Sequence, residues 1–173
     1  MTASPAAGEP PEHLRFARYL SALEAVPEDE EARLIVEVLR DTDGRMASSA
    51  VVRHLDRRAA ALLTVDRFAA WVRLMTGLTA EQPFLRRRLD EWTRLRTVVL
   101  DQAWTAEELT TGSDWLQRAV VDTPTAVPPE ALRLLAERGR TRRVRAAART
   151  RLSCVATHDR GSGTNGAGPS VFE

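Results

Sequence analysis

Apolar residues recur every three or four positions from residue 12 to residue 152, and this periodicity constrains the fold more than any other feature. Such spacing places the apolar side chains on one face of an α-helix. One clear stripe comprises Ala47, Val51, Leu55, Ala59 and Leu62. Another comprises Phe84, Leu85, Leu89, Trp92, Leu95 and Val99. Because no stretch alternates as a half-buried strand would, the sequence predicts an all-α fold.

Prolines, glycines and capping residues divide this helical region into segments. Pro27, Gly44, Gly77, Gly112 and Gly139 mark breaks, and Thr105 to Glu108 has the spacing of a capping box. We therefore predict seven or eight helices packed as antiparallel hairpins. They would form a single domain over 12–152, preceded by a disordered lead, 1–11, and followed by a flexible glycine-rich tail, 153–173.

Two segments resemble the second helix of a HEAT repeat. One is Arg140 to Leu152, in which Val144, Ala147, Ala148 and Leu152 supply the apolar pattern. The other is 41–55, in which an Asp-rich turn leads into a helix with small residues, although Met46 replaces the usual valine or isoleucine. The resemblance implies a HEAT-like α-α superhelical fragment that acts as a scaffold. A closed irregular helix bundle is the alternative.

Composition excludes several chemistries and membrane topologies. All 25 basic residues are arginine, so neither a P-loop lysine nor a Schiff-base lysine exists. The single cysteine, Cys154, cannot form an internal disulfide. Met1 to Pro11 lacks the basic and apolar regions of a secretory signal, and no apolar run is long enough to span a membrane. We therefore expect a cytoplasmic protein without a membrane partner.

Residues suited to catalysis or metal binding are sparse. His13, His54 and His158 lack metal-site spacing, and His54 is expected to be a half-buried packing residue. The acidic turn Glu28 to Glu31 is expected to be solvated. A formal G-x-G-x-x-G match at 161–166 has no following helix. The sequence thus predicts no catalytic residue, metal or cofactor, although an active site assembled from distant residues stays an alternative.

Two further residues suggest a groove or a buried ion pair. Trp71 falls on the flank of its helix, so it is the best surface candidate among the four tryptophans, whereas Trp92 falls on an apolar face. Arg88 lies within the apolar stripe of its helix, where an arginine either extends its charged end to water or pairs with a carboxylate. Glu108 and Asp114 are the expected partners of that arginine.

Charge is distributed in alternating blocks whose net charges are −6 for 1–44, +6 for 45–100, −5 for 101–137 and +6 for 138–173. The last block predicts a basic face from the spacing of Arg138, Arg142, Arg145 and Arg149. Such a face suits an acidic protein partner, or alternatively nucleic acid, or is simply solvated. We predict a non-catalytic protein-interaction or scaffold module, with nucleic-acid binding as the alternative; the oligomeric state is left open.

Overall fold

The computed structural model describes the backbone of residues 11–161 and the side chains of residues 13–154. The described residues form nine α-helices and no strand, which confirms the all-α class. The helices are α1 (Pro11–Ala25), α2 (Glu28–Leu39), α3 (Gly44–Leu62), α4 (Phe68–Leu78), α5 (Pro83–Val99), α6 (Ala106–Thr111), α7 (Asp114–Asp122), α8 (Pro129–Arg138) and α9 (Arg142–Gly161).

The number of helices exceeds the predicted seven or eight because two short breaks each begin a new helix. Ser113 caps α7 by accepting a hydrogen bond from the backbone N–H of Leu116, at 3.1 Å. Thr141 accepts one from the backbone N–H of Val144 in the first turn of α9, at 3.2 Å. Each cap satisfies a backbone donor that the preceding helix cannot reach.

The expected termini fall only partly within the described residues. α9 continues to Gly161, nine residues beyond the predicted end of the helical region at Leu152. The reason is local, since 153–160 contains neither glycine nor proline to stop a helix. The rest of the predicted tail, 162–173, and the predicted lead up to residue 10 lie outside the described part of the chain.

The chain divides into two compact units. Unit 1 contains α1 to α4 and α5 up to Thr93, and unit 2 contains the remainder of α5 and α6 to α9. In unit 1, α3 packs against both α1 and α2, and α2 also contacts α4. In unit 2, α9 packs along α8 and against α7, and α6 contacts α8.

The core of unit 1 follows the predicted apolar stripes with two exceptions. All five residues of the α3 stripe are buried, and Ala50 adds to it. Phe84 of the α5 stripe is 53% exposed, and its ring lies 6.0 Å from the guanidinium carbon of Arg88. In α4 the buried face contains Phe68, Trp71 and Met75, so Trp71 rather than Val72 faces the core.

The core of unit 2 surrounds the contact of α8 with α9. Its fully buried residues include Leu132 and Leu135 of α8 and Val144 and Ala148 of α9. The predicted capping box is confirmed: Thr105 accepts from the N–H of Glu108, whose carboxylate accepts from the N–H of Thr105. α6 is thereby held at its start although it has only six residues.

Candidate functional site

Three exposed arginines share the outer side of α9, opposite Val144 and Ala148 in the core. We call Arg142, Arg143 and Arg149 the α9 arginine face. None of the three forms an ion pair with any residue whose side chain is described. No acidic residue occurs between Glu137 and Asp159, a stretch with seven arginines. The cationic character of this side of α9 is therefore not neutralised from within its own segment.

Two of the four residues predicted for the basic face are placed differently. Arg138 is the last residue of α8, so it does not lie on α9, because Gly139 ends the helix between them. Arg145 is half-buried, and its guanidinium donates to the carbonyl oxygen of Gly139 at 2.7 Å. The predicted face thus keeps Arg142 and Arg149 and gains Arg143.

Arg151, on the inner side of α9, anchors this helix to the end of α7. Its guanidinium donates to the carbonyl oxygens of Val120, Val121 and Thr125. Partial burial lowers the pKa of Arg151, although the charge of Asp122 opposes that shift. Carbonyls at a helix C-terminus lack intrahelical donors and attract cations, so the arginine satisfies groups that would otherwise be orphaned.

Trp71 is not the surface residue that its position on the helix predicted. It is 7% exposed, and its indole N–H donates to both carboxylate oxygens of Glu31, at 3.2 and 3.3 Å. Glu31 is itself only 3% exposed, so the prediction of a solvated acidic turn is wrong at this residue. A buried carboxylate needs hydrogen-bond donors, and the indole supplies one, which holds Trp71 inward.

Glu31 is the centre of a buried polar cluster that we call the Glu31 cluster, formed by Glu31, His54, Arg58 and Trp71. His54 Nε2 lies 2.6 Å from Glu31 Oε1, and Arg58 Nε lies 3.2 Å from the same oxygen. Burial alone would raise the pKa of Glu31. The hydrogen bonds from His54 and Trp71 and the Arg58 and His54 charges outweigh burial and lower it.

The hydrogen bonds of His54 indicate its protonation state. Nε2 faces the Glu31 carboxylate, and Nδ1 lies 2.9 Å from the carbonyl oxygen of Leu23 in α1. Carbonyl and carboxylate oxygens only accept, so both ring nitrogens must donate. His54 is therefore an imidazolium paired with the carboxylate of Glu31. At 3% exposure it is fully buried, not half-buried as predicted.

Arg88 forms the predicted kind of ion pair with different partners. Its Nη1 lies 3.3 Å from Asp56 Oδ2, and its Nε lies 3.5 Å from Glu91 Oε2. Asp56 also accepts from the indole N–H of Trp92 at 2.7 Å, which confirms the core position of Trp92. Burial raises the pKa of Asp56, although the Trp92 hydrogen bond and the Arg88 charge oppose it.

The expected partners of Arg88 are engaged locally. Asp114 pairs with Arg118 one turn along α7, with Arg118 Nε 3.0 Å from Asp114 Oδ2. Glu108 belongs to the capping box. Local pairs of this kind need no tertiary contact to form.

Within the described residues, no group of three or more His, Cys, Asp or Glu side chains is placed to hold a metal ion. In the same part of the chain, no helix has the length and apolarity to cross a membrane. No family model matches the chain, and neither a curated protein nor a solved structure is significantly similar to it.

Sequence reasoning missed the Glu31 cluster, although a signal was present. Glu31 lies four and seven residues before Ile35 and Val38, both fully buried, so all three share one face of α2. His54 likewise lies four residues after the buried Ala50. Two ionisable residues in phase with apolar stripes on different helices indicate a buried pair, because each needs a partner when desolvated.

Proposed function

We propose that this chain is a non-catalytic protein-interaction module whose α9 arginine face binds an acidic surface on a partner protein. One observation carries the proposal. Arg142, Arg143 and Arg149 are exposed side by side on a helix whose opposite side is buried, and they form no ion pair with any described residue. Elsewhere, exposed arginines such as Arg33, Arg67 and Arg133 pair with carboxylates.

The rigidity of α9 favours binding by this face. Val144 and Ala148 are fully buried, and Arg151 ties the helix to α7, so the helix backbone needs no ordering when a partner binds. Arg142 and Arg149 are separated by about 10 Å along the helix axis at 1.5 Å per residue. Guanidinium groups match carboxylates in bidentate geometry, so carboxylates at similar spacing would complement the face.

Charge favours a protein partner over nucleic acid for the same face. Unit 2 contains nine acidic residues beside its twelve arginines, so its own carboxylates would repel a phosphate backbone. Tight duplex binding commonly uses about six to ten phosphate contacts, more than three arginines supply. Nucleic-acid binding is kept as an outcome of the test. The HEAT-like arrangement and the cytoplasmic location remain predictions.

The test replaces Arg142, Arg143 and Arg149 together by glutamine. Binding is measured by fluorescence anisotropy with a labelled poly-glutamate peptide and with a labelled duplex DNA, over a series of salt concentrations. The matched control replaces Arg86, Arg87 and Arg94, three exposed arginines of α5, by glutamine. Glutamine keeps most of the helix propensity, so both variants should fold.

We expect the poly-glutamate peptide to bind the unaltered protein and to bind the α9 variant about ten-fold more weakly. Three exposed ion pairs at a few tenths of a kcal/mol to about 1 kcal/mol each account for that change. The α5 control should bind like the unaltered protein. Duplex DNA that binds more tightly than the peptide, and loses about 0.9 of salt slope per lost contact in the variant, would assign the face to nucleic acid. Equal peptide binding by all three proteins would leave the face merely solvated.

A further inference from the structure

A cavity of about 300 Å³ lies in unit 1 between α1 and α3, away from the α9 arginine face. Its apolar walls include Leu20 and Leu23 of α1 and Ala50 of α3. Its polar walls include Arg53 and Arg57, one helical turn apart on α3. Concave sites with mostly apolar walls and a few charged groups at one side are typical of small-molecule binding.

The polar side of this cavity carries excess positive charge. Arg53 is exposed and forms no ion pair or hydrogen bond with any residue whose side chain is described. Arg57 donates to the carbonyl oxygen of Leu23 at 2.6 Å, which fixes its guanidinium at the cavity wall. Behind them lies His54, whose ring must be an imidazolium because both its nitrogens face acceptors. Like charges one turn apart repel each other, and an anion between them would remove that repulsion.

One acidic residue also lines the cavity, and it does not neutralise this charge. Glu24 of α1 has a carboxylate oxygen 3.8 Å from Arg57 Nη1, and its side chain is 77% exposed. An exposed pair at this distance is weak, because water and salt screen it. A bound anion can therefore compete with Glu24 for Arg57 and meets no competitor among the described residues at Arg53.

We propose that this cavity binds a short-chain carboxylate, with the carboxylate between Arg53 and Arg57 and the hydrocarbon chain against Leu20 and Ala50. The guanidinium fork matches a carboxylate in bidentate geometry. The apolar walls favour an anion with a hydrocarbon part over an inorganic anion. At about 30 Å³ per water, the cavity holds roughly ten water-sized groups, which suits a ligand of the size of hexanoate.

The test uses sodium hexanoate as the probe on the full chain, followed by isothermal titration calorimetry and by NMR of the arginine side chains. For a ligand this small we expect a dissociation constant on the order of 1 mM. 1-Hexanol, which lacks the charge, and inorganic phosphate, which lacks the chain, should each bind at least about ten-fold more weakly. Equal binding by hexanol would refute the role of the arginines, and equal binding by phosphate would refute the role of the apolar walls.

Two variants locate the site, and a third serves as the matched control. Arg53→Gln removes one charge-assisted hydrogen bond and should weaken hexanoate binding about ten-fold or more. Glu24→Gln removes the competing carboxylate and should tighten binding by up to about five-fold. The control is Arg73→Gln, at an exposed arginine of α4 that does not line the cavity, and it should change nothing.

All three substitutions are at exposed positions, so the fold should persist, and circular dichroism checks it. Absence of hexanoate binding to the unaltered protein, or unchanged affinity in both Arg53→Gln and Glu24→Gln, would overturn the proposal. Neither result bears on the α9 arginine face, which involves different residues in the other unit.

Discussion

At the scale of single residues, Glu31 shows how the fold alters an ionisable group. Its carboxylate is buried in α2 with donors from three side chains on two other helices, which together lower its pKa. Removing one partner of a buried ion pair leaves the others desolvated and uncompensated. The stability of unit 1 should therefore depend on this one charge.

Replacing Glu31 by glutamine should lower the free energy of unfolding by about 3 kcal/mol at neutral pH, because His54 and Arg58 lose their counter-ion. A carboxylate with a lowered folded-state pKa stabilises fully above its unfolded value, here 4.5 in the ordinary case. That stabilisation is lost as the pH falls through the lower, folded-state pKa. Urea unfolding between about pH 7 and pH 3 should thus show a smaller decrease in the variant than in the unaltered protein.

The control for this prediction is Glu30→Gln, in the same turn of α2. Glu30 is exposed and pairs only with Arg33, at 3.0 Å, so its loss should cost less than about 1 kcal/mol. If the two variants have the same stability and the same pH dependence, the Glu31 cluster contributes nothing that a surface pair does not.

At the scale of helices, two glycines have opposite surroundings. Gly139 separates α8 from α9, and a Cβ there would lie 2.5 Å from the carbonyl oxygen of Leu135 and 2.8 Å from Val144 Cγ1. Gly77 lies inside α4 with nothing within 4 Å of its Cβ position. The first glycine is required by close packing, and the second only weakens its helix.

Alanine substitutions at these two glycines should therefore change stability in opposite directions. Gly139→Ala should destabilise the protein by about 1–3 kcal/mol, because the backbone of Leu135 and the core side chain of Val144 must both move. Gly77→Ala should stabilise it by about 0.5–1 kcal/mol through helix propensity. Thermal unfolding of both variants measures the difference, and a stabilised Gly139→Ala protein would contradict the packing seen at this turn.

At the scale of the whole molecule, the chain consists of two units with different charge balances. Unit 1 has fifteen acidic residues and thirteen arginines, and unit 2 has nine acidic residues and twelve arginines. The bonds of the Glu31 cluster described above lie within unit 1, and the contacts of Gly139 lie within unit 2. The two sites share none of these partners.

The double variant Glu31→Gln/Gly139→Ala should consequently lose the sum of the two separate stability losses, to within about 0.5 kcal/mol. Denaturant unfolding of the two single variants and the double variant gives the coupling energy directly. A coupling energy above about 1 kcal/mol would mean that a change in one unit alters the contacts of the other site.

The sequence by itself determined the features that depend on neighbouring residues. The α3 stripe and the Thr105–Glu108 capping box are correct because helix periodicity and capping act over a few residues. Helix number and the end of α9 were less accurate, because a break or a continuation depends on weak local preferences that packing can override.

The tertiary structure alone decided which charged residues are buried and with whom they pair. Glu31 and His54 are 23 residues apart in sequence, and the donors of Arg151 reach carbonyls up to 31 residues away. Periodicity can place an ionisable residue on an inner face, but its partner is set by which helices pack together. The same packing separates Arg138 and Arg145 from the exposed arginines of α9, because Gly139 ends α8 and its carbonyl oxygen accepts the guanidinium of Arg145.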